Sequence, residues 1–355
     1  MIVLGIETSC DETSAAVVRA PGEVLSNVVF TQQEMHGPFG GVVPEIASRS
    51  HLEKLPEVVE QAREESGLTW GDIDAIAVTY GPGLASSLLI GMSGAKGLAM
   101  RLGIPLIPVN HLHGHIFSAF LSPGSPSIAE ACPFIALVVS GGHTSLVEVK
   151  DPQTVRLLGQ TIDDAAGEAF DKGASLLGLG YPGGPLMDRI AKDGNASAVK
   201  FPRTQLSADS LKHYPHLDPE LSFSYSGLKT SLMYHVKKHP EARDDEAQRR
   251  DVVASYQEAI VDALVSRCVH AMDGQTTLAM GGGVSLNSRL RARLKEEAAA
   301  RGWQLLLTKP RFCADNAAMI TFVAAQGLAS VAKGGDALKI DVMPSLSIVI
   351  GSARC

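Results

Sequence analysis

Two stretches decide the fold of this chain: IVLGIETSCDETSAAVV at residues 2–18 and FIALVVSGGHTSLVEV at residues 134–149. In each, an apolar run rich in β-branched residues leads into a polar or glycine turn, then a Thr-Ser pair and a second apolar run. The first reads as strands over 2–6 and 14–18 joined by the polar loop Glu7–Thr13. The second reads as strands over 134–140 and 144–149 joined by Gly141-Gly142-His143. One β-hairpin used twice predicts an α/β protein of two similar lobes, one built on each copy. Two unrelated hairpins sharing a pattern is the alternative.

Outward from the first hairpin, Leu55, Val58, Val59 and Ala62 recur at helical spacing and predict a long amphipathic helix over about 44–66. A strand over 74–79, the tripeptide G-P-G, a small-residue helix over about 86–102 and a strand over 104–109 follow, leading to a helix that begins near His111. SPGSPS at 122–127 reads as a surface loop. Beyond the second hairpin, helices are expected near 164–178, 184–193 and 246–272, the last burying Val261, Leu264, Val265 and Cys268. A strand over 276–281 enters the cluster Gly281-Gly282-Gly283 and a basic helix from about 286; a strand over 303–308 precedes a final helix over about 315–332. The expected lobes are 1–130, closed by that final helix, and 131–330, with the active site in the cleft between them. The polar, Pro-rich stretch 197–222 reads as a surface excursion, and the tail 334–355 has no assignment.

A length of 355 residues suits two domains, and 45% hydrophobic with 19% charged residues supplies a large core. A formal charge of −7 opposes nucleic-acid binding through the whole surface; it leaves a local strip such as Arg289, Arg291, Arg293 and Lys295, or a partner, to attract it. The five cysteines are odd in number, widely spaced and without a C-x-x-C pair, which opposes both a disulfide framework and a cysteine zinc site. No basic segment followed by an apolar run opens the chain, and no stretch reaches the roughly 20 apolar residues of a membrane helix. A soluble protein of the reducing cytoplasm is expected.

Three loops that follow strands stand out, two of them rich in glycine. Glu7 to Ser14 offers hydroxyls, turn amides and carboxylates that suit phosphate, a cation or proton transfer, or simply a solvated turn. Ser140-Gly141-Gly142-His143-Thr144 lets backbone approach an anion, or else is a hairpin turn with glycine at positive φ. Gly281-Gly282-Gly283-Val284-Ser285-Leu286-Asn287 stands between strand and helix, where open α/β sheets bind ligands. It has neither G-x-G-x-x-G spacing nor a Walker lysine. His111 and His115 are four apart, so on a helix both imidazoles reach one metal; three histidines at a helix start are the alternative. Leu112 stands where a zinc protease carries its general-base Glu, which disfavours proteolysis. Locally, Asp315 reads as the N-cap of the helix after it, and Glu168 and Asp171 share one helix face.

Taken in order, IETSCDETS, HGPFGGVVPEIASRSHLEKL, VNHLHGHI, VSGGHTSL, DDAAGEAFDKGASLLGLGYPGGP, FSYSGLKTS, GGGVSLNSRLR and CADNAAMI resemble the bacterial TsaD family of tRNA N6-adenosine threonylcarbamoyltransferases over roughly residues 4–325. Gly173, Tyr225 and Ser285-Leu286 are mild departures, and 197–222 and the tail depart most. The resemblance implies the ASKHA fold of actin, sugar kinases and heat-shock chaperones. It implies transfer of threonylcarbamoyl from threonylcarbamoyl-AMP to N6 of the adenosine 3′ of the anticodon, in tRNAs reading codons that start with A, with AMP released. By the same resemblance the metal ligands fall on His111, His115 and Asp315. The nucleotide and substrate contacts fall on Val138, Val139, Ser140, Gly141, Gly142, Asp171, Gly184 and Asn287. Implied partners are the tRNA anticodon loop, a small paralogous TsaB-like protein, a TsaE-like ATPase and an enzyme that makes the adenylate; a homodimer in isolation is allowed. Two imidazoles and a carboxylate suit iron(II) or zinc, with iron favoured, and suit Mg²⁺ poorly. The exocyclic amine is a weak nucleophile, so a base is expected, and Asp11 or Glu12 is assigned that role. A phosphotransferase or ATPase of the same superfamily, acting on ATP or ADP, and a scaffold that only binds partners are the competing classes.

Overall fold

β1 (Ile2–Glu7) and β2 (Glu12–Arg19) form the first hairpin, antiparallel from Ile2 opposite Arg19 to Glu7 opposite Ser14. β3 (Glu23–Thr31) extends it on one side, with a bulge between Val17 and Val18. β4 (Ala75–Gly81) and β5 (Leu106–Asn110) add in parallel on the other. Parallel neighbours need crossovers; α1 (Pro44–Glu65) and α2 (Ala85–Leu102) are these, and α3 (His111–Phe117) leaves the end of β5. The computed structural model describes residues 1–122, 124–203 and 205–349. Pro123 of the SPGSPS loop, Thr204 of the Pro-rich excursion and the tail residues 350–355, Cys355 among them, lie outside it.

The second sheet repeats the first. β6 (Phe134–Val139), β7 (Thr144–Asp151) and β8 (Thr154–Gln160) are antiparallel neighbours. After α4 (Ala166–Leu176), α5 (Gly183–Ala191), α6 (Ser226–Lys238) and α7 (Glu246–Ala271) comes β9 (Thr277–Gly281). Then follow α8 (Ser288–Arg301), β10 (Gln304–Leu307) and α9 (Ala317–Ala325). The orders β3-β2-β1-β4-β5 and β8-β7-β6-β9-β10 correspond strand for strand, and each pair has the same direction in both sheets. Over the described residues the chain divides into two units: Met1–Ile128 together with residues 308–349, and Ala129–Leu307.

Both hairpins are buried along almost their whole length, as continuous apolar runs demand when helices cover both faces of a sheet. In unit 1, Leu4, Ile6, Ala15 and Val17 share a core with Leu55, Val58 and Ala62 of α1 and Met92, Ala95 and Ala99 of α2. Gly5 points the other way. A Cβ there would stand 1.9 Å from Thr321 Oγ1, so α9 lies directly on the strand. The Thr-Ser pairs also have a structural use. Ser14 Oγ accepts from Ala317 N at 2.8 Å, and Thr144 Oγ1 accepts from Ala166 N at 2.8 Å. Each hairpin therefore satisfies an orphan amide at the start of a helix, α9 in one unit and α4 in the other.

Several expectations change. β3, β8 and α6 had no assignment. The final helix covers only Ala317–Ala325, and the chain then passes through Gly327 at φ 71°, a left-handed stop. Among its described residues the excursion 197–222 holds the short 3-10 turn Ala208–Leu211 and buries Phe201, Leu211 and Leu217. Cys10, Cys132, Cys268 and Cys313 are free thiols. Among the described residues, no helix is long and apolar enough to cross a membrane.

Candidate functional site

Asn110 ends β5 and caps α3, its Oδ1 accepting from Leu112 N at 2.9 Å. The helix that follows carries His111 and His115 on one face; the rings sit edge to face with centroids 4.7 Å apart. Asp315, two residues before α9, brings Oδ1 to 3.1 Å from His115 Nε2 and 3.6 Å from His111 Nε2. One donor atom from each of the three lies within 4.8 Å of the others. The local reading of Asp315 as a helix cap is thereby corrected: Asn316 caps α9, accepting from Met319 N at 3.2 Å, and frees its neighbour to face the histidines. His113 turns aside and meets Ile348 O at 2.8 Å; burial pushes its pKa down to about 4, so the ring is neutral.

Behind His111 stands Glu7, fully buried at the end of β1. Its Oε2 lies 3.1 Å from His111 Nδ1 and 2.5 Å from Thr79 Oγ1, while Oε1 accepts from Ser9 N at 2.5 Å. Burial raises the Glu7 pKa, but the adjoining His111 outweighs it and holds the carboxyl below its usual value. For His111, burial disfavours the charged ring, yet Asp315 and Glu7 together push its pKa up to about 9. Two carboxylates face one another across this ring, and positive charge must sit between them. A divalent cation on two imidazoles and one carboxylate meets that demand in place of the ring proton. The donor set fits a metal.

The predicted base pair, Asp11 and Glu12, is buried at the head of β2. Burial, then the charges of Asp11, Asp315 and Glu7, raise the Glu12 pKa well above the carboxylate range. His51 of α1 secures this loop: its Nε2 donates to Cys10 O at 2.9 Å, so its Nδ1 accepts from Thr13 Oγ1 at 2.8 Å. Glu7 was read only as one polar loop residue, and Thr79 and His51 were not singled out. A buried histidine within an amphipathic helix was the available signal for His51.

In unit 2 the predicted contacts form a chain of neighbours. Val138 and Val139 end β6 and lead into a turn that Ser140 closes, its N donating to His143 O at 2.8 Å. Gly141 and Gly142 are exposed, neither has positive φ, and nothing lies within 4 Å of a Cβ built on either. The hairpin does not require glycine there on conformational grounds. Gly282 is different: at φ 96° its Cβ would stand 2.3 Å from Val139 O, so the triple-glycine loop runs against the end of β6. Gly167 N donates to Ser140 O at 3.2 Å and brings α4 to the same turn. Further along α4, Asp171 Oδ1 accepts from Gly183 N at 2.7 Å, next to Gly184 at the start of α5. Asn287 caps α8 through Leu290 N at 3.0 Å and donates to Gln257 Oε1 at 2.8 Å. The basic helix is not a bare positive strip. Arg289 and Arg293 bind Glu258, and Arg293 also reaches Asp262, while Arg291 donates to Ser285 O.

A sequence profile of the TsaD family, described as tRNA N6-adenosine threonylcarbamoyltransferase, matches residues 23–322. The protein of that name from Clostridium perfringens is 48% identical over 321 residues, 90% of each chain. Its counterpart from Syntrophus aciditrophicus is 50% identical over 327 residues, 91% of each chain. Among solved structures, component A of the Acidaminococcus fermentans (R)-2-hydroxyglutaryl-CoA dehydratase is similar at TM-score 0.52 and 13% identity, covering 92% of this chain and 99% of that one. That likeness concerns the fold alone, and with the doubled strand order it establishes the ASKHA architecture. By sequence profile and by identity along nine-tenths of its length, the chain belongs to the TsaD family.

Proposed function

We propose that the chain carries out its family's reaction, with His111, His115 and Asp315 as its metal ligands and the glycine turn Val138 to Gly142 among its nucleotide contacts. Threonylcarbamoyl passes from threonylcarbamoyl-AMP to N6 of the adenosine 3′ of the anticodon, in tRNAs reading codons that start with A. The observation that carries the reading is the cluster of His111, His115 and Asp315, with donor atoms within 4.8 Å although the third residue comes 200 positions after the second. These residues would hold one divalent cation, iron(II) in preference to zinc, since imidazole ligands suit Mg²⁺ poorly. When bound, it supplies Lewis-acid polarisation and an anchor for carboxylate or phosphate oxygens.

The remaining work belongs to the chain's own groups. The donor is a mixed anhydride and needs placement more than activation. The turn Val138-Val139-Ser140-Gly141-Gly142 takes the phosphate closely because its two glycines carry no side chain into that space. Asp171 accepts from the ribose hydroxyls, Gly184 lets the ligand approach the start of α5, and Asn287 holds the loop that follows β9. N6 attacks the carbamoyl carbon, the C–O bond to phosphate breaks, and AMP leaves with the electron pair. The N6 proton passes to Glu12, with Asp11 beside it. An anticodon-loop base is already single-stranded, so it reaches the site without breaking a base pair.

With Arg289 and Arg293 neutralised by acidic neighbours, and a formal charge of −7, tRNA affinity is assigned largely to a small paralogous TsaB-like partner and a TsaE-like ATPase. Free thiols at the four described cysteines accord with a cytoplasmic location. The test is an assay of the chain with its partners, threonylcarbamoyl-AMP and unmodified tRNA. Expected are AMP release and modified tRNA in equal amounts, and loss of both together with bound metal in His111→Ala. Steady hydrolysis of ATP by the chain alone, with no requirement for adenylate or tRNA, would instead establish the phosphotransferase or ATPase class.

A further inference from the structure

We propose that Glu7 is the positioning residue of the metal centre: its carboxylate accepts a hydrogen bond from His111 Nδ1–H, which keeps the proton on Nδ1 and turns the Nε2 lone pair toward Asp315. The inference rests on the metal reading of the His-His-Asp cluster and extends it to a residue outside the ligand set.

The geometry assigns each Glu7 oxygen a task. Oε2 lies 3.1 Å from His111 Nδ1 and takes the Thr79 hydroxyl at 2.5 Å; Oε1 takes Ser9 N at 2.5 Å. Ser9 and Thr79 come from the loop after β1 and from β4, so the carboxylate is pinned by two chain segments and cannot follow the ring if it rotates. The opposite edge of the ring faces Asp315, with Nε2 to Oδ1 at 3.6 Å. An imidazole with Nδ1 committed to a carboxylate has one lone pair left, on Nε2, and a fixed plane. Carboxylate behind, imidazole between and metal in front is how proteins orient such a ligand and make it more basic. Ser9 Oγ also lies 3.1 Å from Nδ1, and it is the competing acceptor. It is neutral and also placed to donate; the carboxylate can only accept, so the carboxylate fixes the direction of the proton.

The test reads metal binding, independently of catalysis. Zn²⁺ affinity is measured by competition with a chromophoric chelator for the full chain and for Glu7→Gln, Ser9→Ala and His111→Ala. Glu7→Gln is expected to bind Zn²⁺ roughly 10–100-fold more weakly, Ser9→Ala within about 3-fold of the parent by comparison, and His111→Ala to show the largest loss. Equal affinity in folded Glu7→Gln, alongside a large loss in His111→Ala, overturns the role of Glu7 and leaves the metal site standing. Unchanged affinity in His111→Ala overturns both. Should Glu7→Gln not fold, nitrogen-15 shifts of histidine in the Zn²⁺-loaded parent decide: His111 must carry its proton on Nδ1 and metal on Nε2, and the reverse pattern overturns the proposal.

Discussion

Glu12 occupies a position that water barely reaches, next to Asp11 and within the field of Asp315 and Glu7. Burial followed by those like charges raises its pKa, which makes the deprotonated carboxylate a stronger base than an exposed one. The sign follows directly: the base form is present above the raised pKa and is lost as pH falls through it. Single-turnover transfer at saturating metal and donor should therefore fall on acidification, and Glu12→Gln should flatten that limb while cutting the rate by roughly 10²–10⁴-fold. Asp11→Asn tests the neighbour in the same assay. Unaltered single-turnover rates in both variants, with metal and donor still bound, would remove this pair from the chemistry. At this scale the sequence is legible only in part. His111 and His115 announce themselves by spacing, but Asp315 precedes an Asn that caps equally well. Which of the two adjacent residues closes the helix depends on a one-residue difference in where α9 starts, which local propensity does not resolve.

The two hairpins were legible as elements because their strands are buried runs of β-branched residues with a sharp polar break between them. β3 and β8 were not, since each lies at the edge of its sheet with a mixed, half-exposed pattern. α6 buries only Leu228, Leu232 and Val236, a narrow stripe inside a polar segment. The Thr-Ser repeat was noticed as a sign of duplication, but its physical purpose needed coordinates. Ser14 and Thr144 each replace a missing intrahelical acceptor at the start of a helix elsewhere in the chain, at Ala317, 303 residues on, in one case and at Ala166, 22 residues on, in the other. Removing such a partner leaves a buried amide unsatisfied, at about 1–3 kcal/mol. Ser14→Ala and Thr144→Ala should each lower unfolding free energy by about that much in denaturant titrations. Ser14→Ala should further weaken Zn²⁺ binding, because α9 begins two residues after Asp315, whereas Thr144→Ala should not. Equal effects of the two variants on metal affinity would separate the caps from the site.

The tail had no role in the sequence reading, and its contacts within unit 1 supply one. Lys96 Nζ donates to Leu338 O and Ile340 O, Met343 N to Tyr80 O, and Gly83 N to Pro344 O. Gly81 is glycine for this reason: a Cβ would stand 2.0 Å from Met343 O. The G-P-G tripeptide at the end of β4 is the surface on which this part of the tail lies. Further on, Asn110 Nδ2 donates to Ser347 O at 2.8 Å while its Oδ1 caps α3, and His113 meets Ile348 O at 2.8 Å. Two residues of the metal-bearing segment thus rely on tail carbonyls that no sequence periodicity could reveal. Ending the chain at Ile340 strips both of these acceptors, and each polar group left without a partner costs about 1–3 kcal/mol unless water replaces it. The shortened chain should unfold at lower denaturant and bind Zn²⁺ more weakly than the full chain. Asn110→Ala and His113→Phe in the full chain should reproduce part of each loss. If the shortened chain keeps both its unfolding midpoint and its metal affinity, the tail merely rests on unit 1, and α3 is held by Asn110 Oδ1 and its packing alone.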